Sequence, residues 1–169
     1  MYGILCMLWQ RSGRYGGGFD GRMADMEDTL QKAVDYIKTK IDIVPRIGLV
    51  LGSGLGDAAD IMEDMVCVPY RDIPGFPCST VAGHKGRFIF GHIDSVPVVV
   101  MQGRVHYYEG YSMEQCVMPV RTMFLLGAGK LILTNASGGI AGELDPGDMM
   151  ILTDHISEFI PSPLIGKNK

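Results

Sequence analysis

Short apolar runs of strand length alternate with glycine-rich or polar loops along most of this chain. The runs predict strands at 47–51, 65–68, 87–90, 96–101, 130–134 and 149–153. Helical spacing of apolar residues begins at Asp25 and continues to Ile41. A second helix is predicted from Ser112, which forms a capping box with Gln115, to a stop at Gly127, with a kink or restart at Pro119. This order predicts an α/β fold with a mixed, partly parallel central sheet flanked by helices.

Residues 1–22 differ from the rest of the chain. After an apolar start they become glycine-rich and show no helical or strand period. We therefore predict an N-terminal tail at 1–22 and a single domain over 23–169. Met23 and Met26 directly precede the first helical pattern, and one hypothesis is that the natural start lies there.

Composition narrows the class of protein. With 169 residues, 47% of them hydrophobic, the chain is long enough for one packed domain. A net charge of -4 argues against nucleic-acid binding, and the apolar runs are too short to span a membrane. The first ten residues lack a basic leader, so we predict a cytoplasmic protein. The four cysteines form no C-x-x-C pair, which favours reduced structural thiols over disulfides, a zinc site or a catalytic role.

The glycine loop, defined here as residues 52–57, follows the first predicted strand. Its glycines and Ser53 place backbone N–H groups and a hydroxyl at the end of that strand, and a helix is predicted over 57–62. Phosphate is the ligand that such a loop favours. The G-x-G-x-G spacing matches neither the dinucleotide fingerprint nor the P-loop. A tight turn without a ligand is the alternative.

Two later loops carry further anion donors. Arg104 and His106 lie two residues apart after a buried strand, so their side chains share one side of an extended segment and suit phosphate oxygens. The alternative there is a solvated loop with a stacked arginine. His106 and Glu109 do not reproduce the metal-binding H-E-x-x-H helix, and no metal is predicted. The loop 134–139 offers the Ala136 N–H as a donor, with a plain turn as the alternative.

A fourth loop, at 83–86, carries His84 and Lys85. Taken alone, it indicates a surface hairpin turn.

Five motifs together resemble the trimeric class of purine nucleoside phosphorylases. They occur in the family's order: LGSGLG at 51–56, GHKG at 83–86, QGRVHYYEGY at 102–111, TNASGG at 134–139 and GDMMILTDHI at 147–156. The resemblance covers the chain from about residue 24 and implies the nucleoside phosphorylase fold. It leaves residues 1–22 without a counterpart.

The resemblance also implies site residues. Phosphate is expected to be held by Ser53, His84, Arg104, His106 and the Ala136 backbone, with His84, Arg104 and His106 as the catalytic set and Tyr108 bounding the ribose. The implied reaction is phosphorolysis of purine (deoxy)ribonucleosides to the free base and (deoxy)ribose 1-phosphate, as in purine salvage. Phosphate is a co-substrate, and neither metal nor organic cofactor is expected. A homotrimer is implied, with purine nucleoside and phosphate as its small-molecule partners.

The family continues well past Lys169, so we expect an N-terminal portion of the domain, with a fold incomplete at the C-terminus. The Glu and Asn that read the purine ring in the family are then absent, and little or no phosphorolysis is expected of these 169 residues. Two alternatives stay open. They are a methylthioadenosine phosphorylase and a non-catalytic phosphate- or nucleotide-binding module.

Overall fold

The computed structural model describes residues 3–10, 21–52, 54–78 and 85–165, with side chains from residue 26 onward. In these ranges there are two α-helices, α1 (Gly21–Lys38) and α2 (Met113–Leu125). The strands of the same ranges are β1 (Gly3–Gln10), β2 (Ile47–Leu51), β3 (Glu63–Pro69), β4 (Arg87–Ile93), β5 (Val96–Gln102), β6 (Lys130–Ser137) and β7 (Met149–Ile151). Short 3-10 helices lie at Gly56–Ile61, Tyr70–Asp72 and Tyr107–Glu109.

The strands form one sheet in the order β3-β4-β5-β2-β6-β1-β7 within the described part of the chain. β2 runs parallel to both of its neighbours, β5 and β6. The pairs β3–β4, β4–β5 and β1–β6 are antiparallel, whereas β1 and β7 are parallel. The prediction of an α/β fold with a mixed, partly parallel sheet is confirmed. The parallel trio β5-β2-β6 brings three carboxyl ends to one edge of the sheet.

The N-terminal segment departs from its prediction. Residues 1–22 were expected to lack regular structure, but Gly3–Gln10 forms β1 and lies between β6 and β7. The position of β1 is set by its pairing with Lys130–Ser137 and Met149–Ile151, which lie more than a hundred residues away in the sequence. A local period could not report that pairing. The residues between β1 and α1 lie outside the described ranges.

The sheet packs a different layer on each face. Val99 and Met101 of β5 join the larger core, to which α1 contributes Val34 and α2 contributes Met123. Val98 and Val100, which alternate with them, join a smaller core beneath the 3-10 helix Gly56–Ile61. Both α-helices therefore cover one face, and the 3-10 helix Gly56–Ile61 covers part of the other.

Local predictions succeed where a local interaction decides the structure. The Ser112 hydroxyl accepts from the Gln115 N–H, and the Gln115 side chain accepts from the Ser112 N–H, so the capping box is confirmed. Helix α2 continues through Pro119 without restarting. The turn at Asp94 and Ser95 has positive φ at both residues and joins β4 to β5, the strands that correspond to the apolar runs predicted at 87–90 and 96–101.

Several boundaries differ from the prediction, and two of the differences change the type of structure. The helix expected over 57–62 is a 3-10 helix, Gly56–Ile61, because β3 begins at Glu63 and leaves only one short segment after the glycine loop. Nucleating an α-helix in so few residues is unfavourable. Strand β6 extends to Ser137, so Ala136 lies in the ladder opposite Ile4 rather than in a loop.

No helix among the described residues combines the length and apolar character needed to cross a lipid bilayer.

Candidate active site

A cavity of about 490 Å³ opens at the carboxyl ends of the three parallel strands. Val50 comes from β2, Met101 from β5 and Leu133 from β6, and Arg104 lies just after β5. The remaining lining residues are Val105, Cys116, Val120, Thr134, Asn135, Ala136 and Leu152. Ligands of open α/β sheets bind at this edge. The cavity is therefore the candidate active site.

Thr134 joins the glycine loop to β6 at the wall of this cavity. Its hydroxyl oxygen accepts from the Gly52 N–H at 3.0 Å, and the same hydroxyl donates to the Val50 carbonyl at 2.9 Å. Both capacities of one side chain are used, so the chain's exit from β2 is fixed against the neighbouring strand.

Gly52 also depends on close backbone contact. A Cβ at this position would lie 2.6 Å from both the Asn135 Cα and the Thr134 carbonyl oxygen. Only glycine lets the first residue of the loop pack this tightly against β6. Two positions later, Gly54 has a φ of 80°, in the left-handed region that favours glycine.

Arg104 follows a turn that is held in place by a buried tyrosine. Gly103 has a φ of 107°, and its carbonyl accepts from the Tyr70 hydroxyl at 3.1 Å. Burial raises the pKa of Tyr70 well above its ordinary value, so this hydroxyl stays protonated as a donor. Burial lowers the pKa of the half-buried Arg104 guanidinium, while the nearby Tyr108 acts in the opposite direction. Arginine nevertheless remains a cation at neutral pH.

The His106 ring is oriented by Glu109. The Glu109 Oε1 lies 2.8 Å from the His106 Nδ1 and also accepts from the His106 N–H at 2.8 Å. The Glu109 side chain is only 2% exposed, and the 3-10 turn Tyr107–Glu109 brings it back to the histidine. Tyr108 stacks on the imidazole, with ring centroids 4.8 Å apart. The carboxylate on Nδ1 thus fixes the orientation of the ring.

Gln102 connects the glycine loop with the start of β4. Its Nε2 donates to the Gly56 carbonyl at 2.7 Å, and its Oε1 accepts from the Arg87 Nε–H at 2.7 Å. The residue is only 3% exposed.

The structure brings together part of the predicted site. Arg104 and Ala136 line the same cavity, although they lie 32 residues apart in the sequence. Beside Arg104 the lining contains Val105 rather than His106, so the shared side of Arg104 and His106 stays a prediction. Tyr108 is 75% exposed and contacts the His106 ring. Ser53 and His84 lie outside the described residues.

Three supporting residues escaped the sequence reasoning: Thr134, Gln102 and Glu109. Only Glu109 left a usable local signal, because it lies three residues after His106 and one 3-10 turn can bring such a pair together. The glycine-loop partners of Thr134 and Gln102, Gly52 and Gly56, are 82 and 46 residues away, and no local pattern reports them. Within the described ranges, no three His, Cys, Asp or Glu side chains are grouped to hold a metal ion.

Comparison with known proteins identifies the family of this chain. A family model described as the Phosphorylase superfamily matches residues 46–169, and the chain belongs to that superfamily. Purine nucleoside phosphorylase 1 of Geobacillus stearothermophilus is 50% identical over 139 residues, which cover 82% of this chain and 51% of that protein. The chain spans about half the length of the curated relatives it matches.

Solved structures agree with this assignment. A Schistosoma purine nucleoside phosphorylase in complex with hypoxanthine is 43% identical, with a TM-score of 0.64 over 70% of this chain and 41% of that chain. The Schistosoma mansoni enzyme in complex with inosine is 44% identical, with a TM-score of 0.54 over 60% of this chain and 35% of that chain. The fold implied by the sequence motifs is confirmed.

Proposed function

We propose that this chain carries the phosphate-binding half of a purine nucleoside phosphorylase. The reaction is phosphorolysis of purine ribonucleosides and deoxyribonucleosides to the free base and the sugar 1-phosphate. The observation that carries the proposal is the placement of Arg104 and Ala136 in one cavity at the carboxyl ends of parallel strands. The relatives reported above are purine nucleoside phosphorylases, which favours this activity over that of a methylthioadenosine phosphorylase.

The proposed site supplies what this chemistry needs. As the C1′–N9 bond breaks, the sugar develops oxocarbenium character, and a fixed phosphate dianion both stabilises that cation and forms the new bond to C1′. The Arg104 guanidinium is a planar, permanently charged donor whose fork matches phosphate oxygens. In its imidazolium form, in which both ring nitrogens donate, His106 adds a second donor beside the one that Glu109 accepts. No step requires a metal or an organic cofactor.

Other roles follow from the family resemblance. Ser53, His84 and the Ala136 backbone complete the proposed phosphate site, and Tyr108 bounds the ribose. The Tyr108 ring stacks on the His106 imidazole, which supports the ribose role because it places the phenol next to a proposed phosphate-binding residue. A cytoplasmic homotrimer is the proposed state of the enzyme, and size-exclusion chromatography with light scattering tests its assembly.

Two measurements test the function. The 169-residue chain should bind inorganic phosphate in calorimetric titration and should show no comparable binding of NAD. A fusion of this chain to the remaining half of the Geobacillus stearothermophilus relative should cleave inosine only when phosphate is present. Cleavage that is independent of phosphate, or NAD binding in place of phosphate binding, would refute the proposal.

A further inference from the structure

We propose that Gln102 is a positioning residue that fixes the glycine loop relative to the segment bearing Arg104. The inference rests on the proposed function in one respect, because phosphate is taken as the ligand that both segments contact. The physical link between the segments is itself a property of the folded chain.

The Gln102 amide is hydrogen-bonded at both ends, to two groups of opposite character. Arg87 Nε–H can only donate and the Gly56 carbonyl can only accept, so the amide has one orientation that satisfies both partners. The two 2.7 Å contacts lie in a nearly dry setting, since Gln102 is 3% exposed. A buried polar side chain with both ends satisfied is geometrically restrictive, because any rotation leaves a buried group unpaired.

Because of its position in the fold, Gln102 connects the segment that bears Arg104 to the glycine loop. It is the last residue of β5, and Arg104 follows after the single residue Gly103. Its side chain reaches the carbonyl of Gly56 at the far end of the glycine loop. Thr134 fixes the near end of the same loop through Gly52. The loop is therefore held at both ends, once by β6 and once by the strand that delivers Arg104.

Arg87 extends the link to a third segment. It is the first residue of β4, pairs with Gln102 across the antiparallel ladder and immediately follows Gly86. The amide thus joins the end of β5, the end of the glycine loop and the start of β4. Misplacing binding groups by about 1 Å can cost two orders of magnitude in rate, so a rigid link between them has functional value.

Gln102→Glu tests this role selectively. A glutamate keeps the shape and still accepts from Arg87, but it cannot donate to the Gly56 carbonyl. In the 169-residue chain without added phosphate, we expect amide hydrogen exchange at Leu55 and Ala58 to accelerate about fivefold to tenfold, the scale of one lost hydrogen bond. We expect the Kd for inorganic phosphate to rise by a similar factor.

Thr122→Val is the matched control. Thr122 is also buried and polar, at 0% exposure, but its hydroxyl donates to the Met118 carbonyl inside α2, away from the glycine loop. This variant should lower the melting temperature while leaving both the loop exchange and the phosphate Kd unchanged. If the role of Gln102 were purely structural, Gln102→Glu would give the same result as Thr122→Val: a lower melting temperature with unchanged loop exchange and phosphate Kd.

The outcomes distinguish the positioning role of Gln102 from the proposed function. Loop exchange at the wild-type rate in Gln102→Glu, or equal acceleration in Thr122→Val, overturns the positioning role. Accelerated exchange in a protein that binds no phosphate supports the link but refutes the proposed function. Should Gln102→Glu fail to fold, Arg87→Ala removes only the outer partner of the amide. It should accelerate the same two amides to a smaller extent, and unchanged exchange there overturns the proposal.

Discussion

The Gly52 N–H donates to the Thr134 hydroxyl oxygen at 3.0 Å, which joins the exit of β2 to a side chain of β6. The hydroxyl hydrogen is in turn directed at the Val50 carbonyl, 2.9 Å away. One side chain therefore stands in for a missing rung of the β2–β6 ladder, whose last paired residues are Val50 and Leu133. At this wall of the candidate site, side-chain hydrogen bonds of Thr134 therefore take the place of backbone hydrogen bonds.

Thr134→Val should destabilise the protein while keeping the shape of the side chain. The change leaves the Gly52 N–H without its acceptor, and an unsatisfied buried group costs about 1–3 kcal/mol. Thr134→Ser keeps the hydroxyl and serves as the control. Urea unfolding of both variants measures the difference. Equal stability of the valine and wild-type proteins would contradict the role given to the hydroxyl.

Gly52→Ala should be more damaging than an alanine at an open glycine. The new Cβ would meet backbone atoms of Thr134 and Asn135 at 2.6 Å, and backbone cannot move aside as a flexible side chain does. Overpacking of this kind costs typically about 1–3 kcal/mol. Gly129→Ala, where no atom lies within 4 Å of the added Cβ, is the control. Melting temperatures of the two variants should differ clearly, and a neutral Gly52→Ala would refute the close contact.

Arg104→Ala should reduce phosphate-dependent inosine cleavage by the fusion protein about 10²- to 10³-fold, because it removes a preorganised charged donor. Arg104→Lys should restore only part of the rate, since a point charge lacks the planar fork. Initial rates across a range of phosphate concentrations measure both variants. An unchanged kcat and phosphate KM in the alanine variant would exclude Arg104 from the site.

His106→Ala should act in the same direction as Arg104→Ala but to a smaller extent. Ser53→Ala should have a smaller effect still, because a hydroxyl gives a neutral hydrogen bond and the loop N–H groups remain. The same kinetic assay gives the order of the three variants. A Ser53 variant more impaired than the Arg104 variant would show that the main charged donor has been assigned to the wrong segment.

Cys116 should alkylate slowly at neutral pH although it lines an open cavity. Burial, and secondarily the negative charge of Glu109, raise the pKa of the Cys116 thiol. The reactive thiolate is therefore scarcer at a given pH, and its fraction increases as the pH rises. Iodoacetamide labelling at pH 7.5, read by peptide mass spectrometry, should favour the exposed Cys67. Labelling of Cys116 as fast as that of Cys67 would contradict this.

Local chemistry made α2 and the β4–β5 hairpin predictable from the sequence. The Ser112–Gln115 box and the two positive-φ turn residues, Asp94 and Ser95, each act over a few positions. The strands were recognisable as apolar runs, and the shared edge of β2, β5 and β6 explains why Arg104 and Ala136 meet. Two features that required knowledge of the neighbouring strand were missed. They are the interior position of β1 and the extension of β6 to Ser137.

The supporting contacts of the site could not be predicted for a related reason. A glutamine at the end of a strand is compatible with an exposed or a buried amide, and its state depends on where Gly56 and Arg87 lie in space. In the motif that contains Gln102, Arg104 was recognisable as a candidate phosphate ligand because it is charged. Neutral residues give no comparable signal, because their hydrogen-bonding role is decided by tertiary structure.

The position of β1 between β6 and β7 has a consequence for synthesis of the chain. The segment Gly3–Gln10 is made more than a hundred residues before its antiparallel partner, Lys130–Ser137. At about 5–20 residues per second, the ribosome leaves this apolar segment without its partner for roughly 6 to 25 s. Throughout that interval its backbone is open to pairing with other nascent chains or to capture by chaperones. Residues 3–10 should therefore limit the yield of folded protein in the cell more strongly than their number suggests.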